Sequence, residues 1–119
     1  MVTDGSAAWV KSIDSVALKE SPLLRGRWAR MLDLSAPDAR GLIFIVGTIE
    51  PGMATGWHEH PEDEVFFVFK GRGVVRWREG ESEYEAAVEP GSAFFKRGGI
   101  PHEMEAQGNE PLVGVGIKV

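Results

Sequence analysis

The chain has 119 residues, 43% of them hydrophobic and 26% charged, which fits one globular domain and excludes an intrinsically disordered chain. With 13 Lys+Arg against 18 Asp+Glu, the net charge of −5 gives no general attraction to nucleic acid or to an anionic membrane surface. The sequence contains no cysteine, so disulfide bonds and thiolate metal ligands are excluded.

The N-terminal segment, residues 1–26, predicts an extended arm or a short helix over residues 10–20, which Pro22 ends. It has no apolar core of signal-peptide length. The longest apolar runs of the chain, 42–46 and 65–69, have five residues each, far fewer than the roughly 20 that a spanning helix needs. We therefore expect a soluble, cytoplasmic protein with an arm at 1–26 and one domain at 27–119.

From residue 28 onward, short runs rich in Val, Ile, Phe or Trp alternate with turn residues such as Gly, Pro, Asn and Asp. This alternation is typical of β-strands joined by tight turns. The predicted strands are 28–34, 42–49, 64–69, 74–78, 82–88, 93–96, 102–106 and 112–119. Many short strands at this spacing favour an all-β sandwich or barrel with antiparallel strands.

Two of these strands allow a prediction about their faces. In 64–69 both faces are apolar after Glu64, which predicts a strand that is buried on both sides. In 112–119, Gly114 and Gly116 share one face with Lys118, while valine and isoleucine occupy the other. Glycine on an inner face leaves room for the close approach of another side chain or backbone.

The three histidines of the chain occupy positions that suit one metal ion. His58 and His60 are two residues apart, Glu64 follows four residues later, and His102 lies after a Gly-Gly-Ile-Pro turn. A carboxylate at the start of so apolar a strand is costly to bury unless a cation neutralises it. Each histidine taken alone is more often a structural residue, but the four positions together favour a set of metal ligands.

Three imidazoles and one carboxylate suit one divalent transition-metal ion (Fe, Mn, Ni, Zn or Cu) better than Mg or Ca. Such a shell leaves one or two coordination positions open for a substrate, water or dioxygen. We expect that His58→Ala or Glu64→Ala abolishes metal retention while the chain stays folded, because the apolar core lies elsewhere.

The pattern resembles the cupin superfamily. The first cupin motif, G-x5-H-x-H-x3,4-E-x6-G, is matched in full, from Gly52 to Gly71. The second, G-x5-P-x-G-x2-H-x3-N, is matched at Gly91, Gly99 and His102 but departs at Arg97, in place of proline, and at Ala106, in place of asparagine. The resemblance implies a jelly-roll β-barrel with a metal held by His58, His60, Glu64 and His102. It also implies a homodimer that pairs through outer sheet faces and N-terminal arms.

Three further residues are candidates for catalysis. Arg97, five residues before His102, could hold a substrate carboxylate or phosphate at the mouth of a pocket. Glu50 and Tyr84 could transfer protons, which a lyase or isomerase needs in addition to a metal. The alternatives are a solvated loop residue for Arg97 and structural roles for Glu50 and Tyr84.

Three functions fit these residues. The first is a metal-dependent oxygenase that acts on a small organic substrate, and the second is a metal-dependent lyase or isomerase of a small carbonyl, carboxylate or sugar. The third is a non-catalytic module that binds a small molecule. A binding module does not need four ligands, so an enzyme is favoured, and the oxygenase is the first choice.

Overall fold

The computed structural model describes residues 19–20, 29–33 and 41–119, and in this part of the chain the regular structure is all strand. The nine strands are β1 (Lys19–Glu20), β2 (Ala29–Asp33), β3 (Ile43–Ile49), β4 (Glu64–Lys70), β5 (Arg72–Glu79), β6 (Ser82–Val88), β7 (Ala93–Lys96), β8 (His102–Gln107) and β9 (Leu112–Lys118). The predicted all-β fold is thus confirmed, and β2 to β9 lie within a few residues of their predicted positions. In these ranges no helix is long and apolar enough to cross a membrane.

The predicted N-terminal arm or short helix lies almost wholly outside the described residues. The described pair, Lys19–Glu20, forms β1 and pairs antiparallel with β2. The sequence patterns did not predict this strand, because two residues carry no periodicity. The boundary between residues 26 and 27 remains a prediction.

The strands form two antiparallel sheets that face each other as a jelly roll. One sheet has six strands in the order β1-β2-β3-β9-β4-β7, and the other has three in the order β6-β5-β8. The described strands do not close into one continuous hydrogen-bonded barrel, so the predicted barrel is an open, two-layered version of the jelly roll. Non-consecutive neighbours, such as β9 beside both β3 and β4, bring distant parts of the chain together.

The apolar core fills the space between the two sheets. The six-stranded sheet contributes five side chains and the three-stranded sheet four; they are Ile49, Phe66, Val68, Phe94 and Leu112, and Val75, Val88, Met104 and Ala106. All are at most 9% exposed, and burying a large apolar side chain stabilises the fold by about 1.5–3 kcal/mol. The core therefore holds the two sheets together beside the cluster of histidines.

The face pattern of β9 is confirmed, whereas that of β4 is partly wrong. A Cβ at Gly114 would collide with the ring of Phe66, and one at Gly116 would lie 2.7 Å from Glu64 Oε2. On β4, the inner residues are buried, but Phe67 and Phe69 are 43% and 48% exposed. No described element covers this outer face, so β4 is buried on one side only.

Candidate metal centre

Backbone pairing places the ligand candidates at one end of the space between the sheets. His58 and His102 form an isolated antiparallel bridge, with N–H···O distances of 3.0 and 2.9 Å in the two directions. His102 is the first residue of β8, and Glu64 is the first residue of β4 in the opposite sheet. One strand start from each sheet therefore faces the segment that carries His58 and His60.

The turn before His102 packs against the turn after His60. The Gly99 N–H donates to the carbonyl of His60 at 2.8 Å, and the Gly98 N–H donates to Asp63 Oδ1 at 2.8 Å. A Cβ at position 98 would collide with the carbonyl oxygen of Pro61, so only glycine permits this approach. The two motifs, about forty residues apart, are thereby held in contact.

The side chains of these residues converge. Potential ligand atoms of His60, Glu64 and His102 all lie within 4.8 Å of one another, and all three residues are buried. The His58 ring is half-buried, with its centroid 4.3 Å from that of His102 and 6.3 Å from that of His60. The structure thus shows a possible His-His-Glu metal site and places His58 at its edge.

Backbone carbonyls orient all three imidazoles. Each Nδ1 lies within hydrogen-bond distance of the carbonyl oxygen of a residue two positions away; the pairs are His58–Gly56 at 2.8 Å, His60–Glu62 at 3.0 Å and His102–Ile100 at 2.7 Å. A carbonyl only accepts, so Nδ1 carries the hydrogen, and in a neutral ring Nε2 presents a lone pair. Hydrogen bonds of this kind fix the tautomer of metal-binding histidines.

The Nε2 atom of His102 is the clearest sign of a ligand site. It is buried and has no hydrogen-bond partner among the described residues, although buried polar atoms are nearly always paired. His60 Nε2 lies 3.2 Å from Glu64 Oε1. Two adjacent ligand atoms that each lie about 2.1 Å from one ion are expected to be about 3 Å apart, which is close to this distance. The residues present therefore fit a divalent transition metal.

The charges of the site suit the same interpretation. Burial, followed by the positive charge of Lys96, lowers the pKa of His102 to about 3, and burial also lowers the pKa of His58, so both rings favour the neutral form that binds metals. Burial raises the pKa of Glu64, but the contacts with His60 and Lys96 outweigh it and leave that pKa at about 2. Glu64 is therefore an anionic ligand candidate at neutral pH.

Lys96 is a part of the site that sequence reasoning missed. Its side chain is 2% exposed, and Nζ lies 2.5 Å from Glu64 Oε1. The register of β4 and β7 pairs Glu64 directly with Lys96, which puts both side chains on the inner face. The available signal was the alternation on β7, where Phe94 and Lys96 share one face, but the sequence interpretation considered only the neighbouring Arg97.

A cleft of about 230 Å³ opens beside Lys96. It is lined by Trp77, Glu79, Phe94, Phe95, Lys96, Arg97 and Ile100. Arg97 is exposed and is one of the residues that line this cleft. Its role in holding a substrate anion remains a prediction. The cleft therefore combines aromatic walls with two cations, the buried Lys96 and the exposed Arg97, and one exposed acid, Glu79.

The other two catalytic candidates lie farther from the histidines. Tyr84 is 45% exposed and stacks on Trp77, with ring centroids 5.5 Å apart. The backbone of Trp77, on β5, pairs with Tyr84 on β6 and with His102 on β8. Tyr84 therefore lies two strands from that ligand candidate. Glu50 follows β3, where its carbonyl accepts the N–H of Met53. Met53 pairs with Ala106, which at about 3.3 Å per residue is about 13 Å along β8 from His102. The fold therefore does not bring the backbone of Glu50 beside the ligand cluster.

Solved structures with the same architecture include proteins that hold metals. A variant of oxalate decarboxylase from Bacillus subtilis superposes with a TM-score of 0.78 at 16% identity, over 91% of this chain and 28% of that one. An iron(II) form of HppE with the alternative substrate (S)-1-HPP has a TM-score of 0.77 at 17% identity, over 92% and 58%. The DMSP lyases RdDddP and RnDddQII give 0.73 at 24% identity, over 87% and 56%. Another structure of the B. subtilis decarboxylase describes its Mn(II) centres.

At these identities the structural similarity establishes the fold alone, and the chain spans between about a quarter and three-fifths of the length of these proteins. A comparison with curated protein sequences finds no match. Residues 45–117, more than half of the chain, match the family model described as the cupin domain. Together, the family match, the facing antiparallel sheets and the clustered histidines show that this chain belongs to the cupin family.

Proposed function

We propose that this protein is a metal-dependent oxygenase that acts on a small organic substrate, with one divalent transition-metal ion held by His58, His60, Glu64 and His102. The observation that carries the metal site is the buried, unpartnered Nε2 of His102. The Nε2 atom of His60, 3.2 Å from Glu64 Oε1, and the anionic Glu64 support it. Iron or manganese is the proposed metal, since redox-active ions suit oxygenase chemistry.

When bound, the ion would supply open coordination positions at which an organic substrate and dioxygen are activated. The residues of the chain bind and orient. The carbonyls of Gly56, Glu62 and Ile100 hold the imidazoles in one tautomer and one direction. Phe94 packs edge-on against His102 at 6.4 Å and tilts against Trp77 at 5.4 Å, so aromatic rings border His102 on the side of the cleft.

The structural similarities are consistent with this proposal. HppE was solved as an iron(II) protein, and the B. subtilis decarboxylase contains Mn(II). These facts belong to those proteins, and they show that this architecture accommodates both metals. The proposed substrate is likewise a small molecule, because the cleft beside the cluster has a volume of only about 230 Å³.

The test is elemental analysis of protein expressed without added metal, followed by measurement of oxygen uptake after anaerobic reduction. We expect about one equivalent of iron or manganese and oxygen consumption in the presence of substrate. His102→Ala should lose the metal, while Glu59→Gln, which changes an exposed carboxylate between His58 and His60, should retain it. Metal-free wild-type protein, or full metal retention in His102→Ala, would refute the proposed site.

A lyase or isomerase is the second candidate, and Lys96 is the observation that favours it. This buried amine contacts a ligand candidate and lines the cleft, where such an enzyme needs a group that moves a proton. Zinc or nickel in the purified protein, with turnover but no oxygen uptake, would favour this candidate over the oxygenase.

We also propose that the protein forms a homodimer through the outer face of the six-stranded sheet. Neighbouring apolar side chains on this face are exposed, among them Phe67 at 43%, Phe95 at 67% and Ile117 at 37%. An exposed apolar patch of this kind is typical of a protein interface. Light scattering on a sizing column should give twice the mass of the chain, and Phe95→Glu should give the monomer. The cytoplasmic location remains a prediction from the sequence.

A further inference from the structure

The buried ammonium of Lys96 has one acidic partner among the described residues. Nζ lies 2.5 Å from Glu64 Oε1, and the ring centroids of Phe94 and Phe66 lie 5.2 and 6.0 Å from it. The other charged or polar groups that act on it electrostatically are Lys118, His58 and His102, none of which is an anion. A buried ammonium is stable only when an anion or several hydrogen bonds compensate it. In the metal-free protein, Glu64 provides that compensation.

A divalent ion changes this balance. The carboxylate oxygen that pairs with Lys96 belongs to a proposed metal ligand, and the imidazoles contribute no negative charge. Two cations then share one carboxylate. Lys118, paired in register with Glu64 on the neighbouring strand β9, adds a third positive charge at the edge. The loaded site therefore carries excess positive charge at buried side chains, and an anionic ligand would neutralise it.

The cleft beside Lys96 indicates what else that ligand contains. Trp77, Phe94 and Ile100 give it apolar walls, and its volume of about 230 Å³ is below the range of drug-sized pockets. A planar carboxylate on a small apolar body matches both parts, because its head can contact Lys96 and its body can lie against the rings. Arg97 and Glu79, both exposed, are the other charged residues that line it.

We propose that Lys96 binds the carboxylate of the substrate beside the metal, and that the substrate is a small carboxylic acid with an apolar body. This inference rests on the proposed metal site and names the substrate class of that site. Lys96 is thus a specificity-determining residue: it exchanges its partner Glu64 for the carboxylate of the incoming ligand when the ion is present.

The test uses zinc-loaded protein, so that binding is measured without turnover. Acetate, butyrate and benzoate are titrated by calorimetry, each alongside its neutral amide of nearly the same shape. We expect at least one acid to bind wild-type protein ten-fold or more tightly than its amide, and Lys96→Met to lose ten-fold or more of that affinity. Lys70→Met removes an exposed lysine at the end of β4 and is the matched control, with unchanged affinity.

A second measurement separates this role from a structural one. The ammonium competes with the ion for Glu64 Oε1, so Lys96→Met should bind zinc more tightly than wild type, as measured by competition with a chelator. A structural role for Lys96 would weaken zinc and carboxylate binding together. Opposite changes in the two affinities are therefore specific to the proposal.

Equal affinities for acids and amides in wild-type protein would overturn the inference, as would unchanged carboxylate binding in Lys96→Met. The comparison in wild-type protein can refute the inference even if Lys96→Met does not fold. Protein that retains no zinc overturns the proposed function and this inference together. Zinc retention without selective carboxylate binding overturns this inference alone.

Discussion

Replacing Glu64 by glutamine in the metal-free protein should cost much more stability than removing a surface carboxylate. The side chains of Glu64 and Lys96 are 4% and 2% exposed and in direct contact. Glutamine keeps the shape of Glu64 but removes its charge, which leaves the ammonium buried without an anion. The expectation from the sequence that Glu64→Ala stays folded considered the apolar core alone and did not include this ion pair.

The magnitude follows from the burial of the pair. Removing one partner of a buried ion pair typically costs about 3–5 kcal/mol. Lys96 can limit this cost by losing its proton, since burial already lowers its pKa, so we expect about 3 kcal/mol. For a chain of this size, the melting temperature should fall by roughly 3–5 °C per kcal/mol, or about 10 °C in all. Glu59→Gln, at an exposed position, should change the free energy of unfolding by less than about 0.5 kcal/mol.

The assay is thermal unfolding at pH 7 after removal of metals with a chelator. It compares Glu64→Gln, Lys96→Met and the double variant, which together form a double-mutant cycle. The double variant should recover most of the loss in Glu64→Gln, because it removes both opposite charges. If the effects of the two single substitutions simply add, the two groups do not interact in solution, and the argument from the ion pair is refuted.

Three further predictions concern the same end of the fold. Gly116→Ala would put a Cβ 2.7 Å from Glu64 Oε2, so the carboxylate must move. Zinc affinity, measured by competition with a chelator, should fall about ten-fold or more, as for other changes around metal ligands. Unchanged affinity would contradict the placement of Glu64. The pKa of His102 is about 3 in the folded protein against an ordinary 6.5, so the unfolded chain takes up protons more readily. The free energy of unfolding of metal-free protein should therefore fall as pH drops from 6.5 towards 3. Urea midpoints that stay constant from pH 7 to pH 4 would contradict this. Arg97→Ala should weaken benzoate binding to zinc-loaded protein about two- to five-fold without loss of zinc, since an exposed cation contributes little; calorimetry that shows no change would remove Arg97 as an anchor.

Local patterns were sufficient to predict most strands and to propose the metal ligands, but they did not indicate Lys96. Apolar alternation and turn glycines depend only on neighbours in the chain, so β2 to β9 were predicted nearly in full. The spacing of His58, His60 and Glu64 is also local, and His102 is the one remaining histidine of the chain, after a Gly-Gly-Ile-Pro turn. What these patterns lacked was any measure of what covers a strand, which is why β4 was expected to be buried on both faces although Phe67 and Phe69 are exposed.

The sequence by itself determined the class of fold, the order of the strands along the chain and the residue types available to a metal. Only the tertiary structure decided which of the remaining charged residues lie beside them. Lys96 contacts Glu64 because β7 pairs with β4 in one register, and a shift of a single residue would turn that lysine to the outer face. Glu50 lies away from the histidines because its place is also fixed by pairing between distant strands. Such pairing leaves no trace in local periodicity.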